Sequence, residues 1–67
     1  MHRWEFRAGL ILMGWGPVEA ALEFGTSPGT IMELERGDPN AVLEGPLIER
    51  AREVFKVRRL AIRPVEG

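Results

Sequence analysis

Residues 14–37 read GWGPVEAALEFGTSPGTIMELERG, and this stretch decides the fold. Its glycines and prolines fall at punctuation points. Pro17 suits a first helical position, where its missing N–H would be unpaired in any case. Glu19 lies in the first turn, where the helix dipole favours a carboxylate. Ala20, Ala21 and Phe24 form an inner face, and Gly25 ends the helix. Ser27 is an N-cap and Pro28 a first helical residue, so a second helix starts two residues after the first stops. Ile31 and Leu34 supply its buried face, Arg36 sits in its last turn, and Gly37 closes it. The reading is two short helices across a tight turn.

Outward from this pair, the same punctuation defines three more helical pieces. The first spans about Trp4 to Met13, with Phe6, Leu10 and Met13 at helical spacing and Gly14 at the C-terminal stop. Gly9 interrupts it at a cost of roughly 1 kcal/mol relative to alanine. Asp38-Pro39 predicts a short helix to about Glu44, and Gly45-Pro46 opens another to about Lys56. Leu47, Ile48, Ala51, Val54 and Phe55 fall at helical spacing along that last helix. The tail, residues 57–67, is either a helical extension or a short edge strand, and Pro64 stops both. The expected fold is all-α, five short helices in a single domain over residues 1–67.

Composition narrows the function classes. The chain has 67 residues and is 45% hydrophobic, as expected of one small globular domain. Such a domain has marginal stability, and self-association is the staple left to it. It has no cysteine, no tyrosine and one histidine, His2. Thiolate metal sites and disulfides are excluded, and a lone histidine builds no zinc site. Carboxylates are scattered without a pocket-forming constellation, and no strand precedes Gly14-Trp15-Gly16 to make a phosphate loop. No catalytic residue, cofactor or metal is expected. No apolar run approaches the roughly 20 residues of a membrane span, and no secretory signal is visible, so a cytoplasmic protein without membrane contact is expected.

Net charge is −1, which argues weakly against nucleic acid. The distribution is uneven. Arg50, Arg52, Lys56, Arg58, Arg59 and Arg63 face only Glu53 between residues 50 and 63. This cluster either meets phosphate or is a solvated helix face and tail.

Residues 14–37 resemble the helix-turn-helix of the Cro and lambdoid-repressor family. Ala21 matches the small residue that lets the next helix cross closely, Gly25 the turn glycine, and Ser27 the cap of the recognition helix. Ile31 and Leu34 match its core face. Glu35-Arg36-Gly37 matches the Glu-Arg-Gly signature at its end. The motif covers residues 16–37, and the recognition helix about 28–36. The resemblance implies a lambda-repressor-like DNA-binding domain that docks one helix in the major groove. It implies a transcriptional regulator, a repressor acting as a homodimer on a palindromic or repeated operator of double-stranded DNA, as in phages and mobile elements.

The side chains depart from the family at the reading positions. Gly16 and Pro17 replace the polar residue and Gln that clamp phosphate, leaving backbone N–H groups at that helix start. Ser27, Pro28, Gly29, Thr30, Met32 and Glu33 occupy the base-reading positions and offer no bidentate Arg–guanine or Gln–adenine pair. Glu33 accepts from the cytosine amino group, Thr30 and Met32 touch thymine methyls, and Gly29 permits close backbone approach. The candidate phosphate contacts are Arg36, Arg58, Arg59 and Arg63. The family pairs the glutamate of its signature with an arginine of the first helix. Leu10 holds the matching position here, so Arg7, one turn earlier, is the expected partner of Glu35. Trp15 is expected in the core, and Trp4 on the last helix or in a subunit interface. The competing reading is a protein-binding adaptor or inhibitor on a degenerate helix-turn-helix, favoured by the acidic recognition helix.

Overall fold

The computed structural model describes the backbone of residues 1–62 and the side chains of residues 1–56. Among these residues four helices follow in order: α1 (Arg3–Met13), α2 (Pro17–Phe24), α3 (Pro28–Glu35) and α4 (Pro46–Ile62). The all-α class holds, with one helix fewer than the sequence suggests.

The missing helix is the one expected at 38–44. Asp38 does cap a turn: its Oδ1 accepts from the Asn40 N–H at 2.9 Å and its carbonyl from the Ala41 N–H at 3.0 Å. The chain then runs extended beside the N-terminus. Arg3 N–H donates to the Ala41 carbonyl at 2.8 Å and Trp4 N–H to Pro39 at 3.0 Å. Leu43 N–H donates to the Met1 carbonyl at 2.7 Å, and His2 bridges Val42 in antiparallel sense. The first N–H groups of any helix lack intrahelical acceptors. Here residues 39–41 supply them for α1, so their carbonyls are unavailable for a helix of their own.

The tail also resolves one way. The helix that starts at Pro46 continues through Ile62, which removes the edge-strand alternative for residues 57–62. Pro64 and Arg63 lie outside the described residues, as do the side chains of Arg58 and Arg59. No helix among the described residues is long and apolar enough to cross a membrane.

The core gathers one face from each helix. Phe6 and Leu10 of α1, Ala20, Ala21 and Phe24 of α2, Ile31 of α3, and Ile48, Ala51 and Phe55 of α4 are buried, with Leu43 from the extended segment. Three phenylalanines form its centre. Phe24 and Phe55 meet edge to face at 6.0 Å, and Phe6 lies 6.3 and 6.2 Å from them, within the favourable aromatic range. Trp15 packs on Phe24 edge to face at 5.8 Å, as its core assignment requires. Gly9 explains itself here. A Cβ at that position would lie 2.6 and 2.7 Å from Cδ2 and Cζ of Phe55. The residue that weakens α1 locally is the one that lets α4 cross against it.

Candidate nucleic-acid interface

The candidate surface is built from the α2–turn–α3 unit. Gly25 adopts the left-handed conformation, φ 69°, and its N–H returns to the Ala21 carbonyl. Thr26 N–H bonds the same carbonyl at 2.9 Å, which closes the end of α2. Ser27 then caps α3: its Oγ accepts from the Thr30 N–H at 3.3 Å and lies 3.0 Å from Thr30 Oγ1. Ala20 and Ala21 carry little side chain, so α3 packs close across α2, and Ile31 is fully buried where they meet.

The opposite face of α3 is bare. Pro28, Gly29, Thr30, Met32, Glu33 and Arg36 are all exposed. Gly29 is open in a specific sense: a Cβ added there would meet nothing closer than Ser27 Oγ, at 3.9 Å. The fold itself therefore does not require glycine at 29. Thr30 is exposed but already bonded to Ser27 through its hydroxyl.

The start of α2 is less open than the sequence suggests. The Gly16 N–H donates to Glu19 Oε1 at 2.9 Å. Pro17 has no N–H to offer. A carboxylate thus stands at the helix end expected to meet phosphate, and Gly16 is already engaged.

Two arginines work within the fold rather than on this surface. Arg3 donates from Nε to the Leu34 carbonyl at 2.8 Å and from Nη1 to the Asp38 carbonyl at 2.8 Å. It lies against Gly37, whose absent Cβ would fall 2.8 Å from Nη1. Arg50 of α4 donates from Nε to the Glu23 carbonyl at 3.2 Å. Both place a cation at the carbonyl end of a helix, where the dipole favours positive charge. Arg7, by contrast, is exposed, and the expected Arg7–Glu35 pair does not form. Among the described residues the contact between a carboxylate and a basic side chain is Glu5 Oε1 with His2 Nδ1, 3.1 Å. Sequence reading missed Arg3. The sequence placed Arg36 in the last turn of α3, but the helix ends at Glu35 and Arg36 is its extended C-cap, so the last turn carries no basic residue of its own and Arg3 reaches its carbonyls instead.

The charge of the surface is the remaining feature. Between Pro17 and Arg36 the carboxylates are Glu19, Glu23, Glu33 and Glu35, and the one cation is Arg36. Arg36 is exposed at the end of α3, beside Glu33, whose carbonyl accepts its N–H at 3.3 Å. Of the other expected phosphate contacts, Arg58 and Arg59 fall on the described backbone of α4 without described side chains. Comparison of the chain with protein families, curated proteins and solved structures returns no match.

Proposed function

We propose that this chain is a small DNA-binding transcriptional regulator, a repressor acting as a homodimer on a palindromic or repeated operator, with α2 and α3 as a lambda-repressor-like helix-turn-helix. One observation carries the reading: α3 is anchored by Ile31 and Arg3 on its inner side while its outer side is exposed along its whole length. An anchored helix with a bare face is the part that enters a major groove. Ser27, Pro28, Gly29 and Thr30 lead into the groove, Thr30 and Met32 meet thymine methyls, and Glu33 accepts from a cytosine amino group. Gly29 lets the backbone approach the DNA edge. Arg36, with Arg58 and Arg59 beyond it, contacts phosphate and supplies most of the affinity. Gly16 and Pro17 lie at the phosphate-facing start of α2, where Glu19 weakens their contribution.

A second reading, a protein-binding adaptor on the same scaffold, is favoured by the four carboxylates on α2 and α3. A gel shift at low salt against the duplex upstream of the protein's own coding sequence separates the two. The regulator shifts that duplex and releases it as salt rises. The adaptor leaves it unshifted at every salt concentration.

A further inference from the structure

We propose that the outer face of α1 is a self-pairing surface, taken up by α1 of a second copy of this chain. The helix is apolar on two sides. Phe6, Gly9 and Leu10 face the core. Trp4, Ala8, Ile11 and Leu12 recur at i, i+4, i+7 and i+8, which is the opposite stripe. Among the described residues nothing covers that stripe: Trp4 is 51% exposed, Ile11 78% and Leu12 61%. The stripe continues into a groove beside α4, lined by Trp4, Ala8, Leu12, Arg52, Phe55 and Lys56.

The occupant follows from the symmetry and the charge of this face. A two-fold interface is built from one patch that complements itself. Trp4 and Leu12 stand four residues to either side of Ala8. An antiparallel α1 pair with its axis at Ala8 therefore sets Trp4 of each copy on Leu12 of the other, with a small residue where the helices come closest. The groove's α4 wall is cationic through Arg52 and Lys56, while α1 carries the carboxylate of Glu5 on the same rim. Pairing brings the Glu5 of each copy toward the cationic wall of the other. The apolar stripe is on the order of a few hundred Å2, below the roughly 800 Å2 per partner of a standard interface, so the dimer is weak and dissociates on dilution.

The two-copy state is shared with the proposed function, but the pairing surface does not depend on DNA binding and is tested without DNA. Sedimentation equilibrium of the full chain from about 10 μM to about 1 mM spans the range of a weak dimer. The average mass is expected to climb from 7.5 kDa toward twice that value. The Leu12→Glu variant is expected to stay at the monomer mass with an unchanged helical spectrum. The natural chain has no cysteine, so a single one reports its neighbour cleanly. Ala8→Cys is expected to oxidise rapidly to a covalent dimer, because it lies beside its own symmetry mate. Val18→Cys, on the exposed face of α2, is expected not to. A mass fixed at the monomer value overturns the proposal. So does association that survives Leu12→Glu with Ala8→Cys linking no faster than Val18→Cys.

Discussion

Arg3 donates from Nε to the carbonyl of Leu34 at 2.8 Å, joining the first turn of α1 to the last turn of α3 across 31 residues of sequence. The same guanidinium reaches the Asp38 carbonyl. It fixes the far end of the helix whose outer face is the candidate interface. Replacing Arg3 with methionine keeps the stem and removes both bonds. A charged donor on a partly buried carbonyl contributes about 1–3 kcal/mol, so Arg3→Met should lower unfolding free energy by that amount in urea denaturation. Arg7→Met should change it by no more than about 0.5 kcal/mol, as at other exposed sites. Equal losses for the two variants would contradict the assignment of Arg3.

Gly9 and Phe55 make a second prediction. Alanine normally strengthens a helix interior by roughly 1 kcal/mol over glycine. At position 9 its methyl meets the Phe55 ring, and overpacking of this kind costs about 1–3 kcal/mol. Gly9→Ala should therefore destabilise the chain in a thermal melt. The double variant with Phe55→Leu should recover part of the loss from Gly9→Ala relative to Phe55→Leu alone, because the smaller side chain vacates the space.

Gly29 should behave in the opposite way. Its Cβ position is open, so Gly29→Ala should fold at least as stably as the natural chain and gain a few tenths of a kcal/mol from helix propensity. If the backbone of α3 approaches the DNA edge there, the same variant loses duplex affinity. Stability and binding measured on one preparation should move apart. A variant that is more stable and binds DNA as before removes Gly29 from the interface.

The pH dependence of stability should show the cap of α1. The His2 N–H donates to Glu5 Oε1 at 2.7 Å and the imidazole approaches the same oxygen at 3.1 Å. The backbone hydrogen bond first, and the side-chain contact second, hold the Glu5 carboxyl below its usual range. A carboxyl with a depressed folded pKa stabilises the fold above the unfolded value, about 4.3, and that contribution is lost as pH falls through the lower folded value. The site is exposed, so the effect is tenths of a kcal/mol. Glu5→Gln should therefore be less stable than the natural chain at pH 7, with the difference shrinking at about pH 3. A difference that stays constant between the two would contradict this role.

Much of this was legible in the chain. Gly14, Gly25, Pro17, Ser27-Pro28 and Gly45-Pro46 act within one turn of their own position, and the helix ends they mark stand where expected. The segment after Asp38 was not legible, because Asp-Pro signals both a helix start and a turn. What decides between them is the pairing of His2 with Val42, set by distant parts of the chain. The choice of Arg3 over Arg7 has the same origin. Both lie on one face of α1, one turn apart, and only the lateral position of the end of α3 selects between them. The exposed face of α3 was legible as a surface. The carboxylate of Glu19 at the start of α2 was legible as a first-turn acid, but not as the group that occupies the Gly16 N–H.

The most direct test of the regulator reading is fluorescence anisotropy with the upstream duplex, titrated at several salt concentrations from about 50 to 200 mM. The account predicts binding that weakens steeply with salt, because phosphate contacts carry the affinity. Arg36→Ala should reduce the slope of log affinity against log salt by about 1, and Glu33→Gln should raise affinity at low salt by removing a like charge. Absence of binding at about 50 mM salt, or a salt slope that Arg36→Ala leaves unchanged, would contradict it.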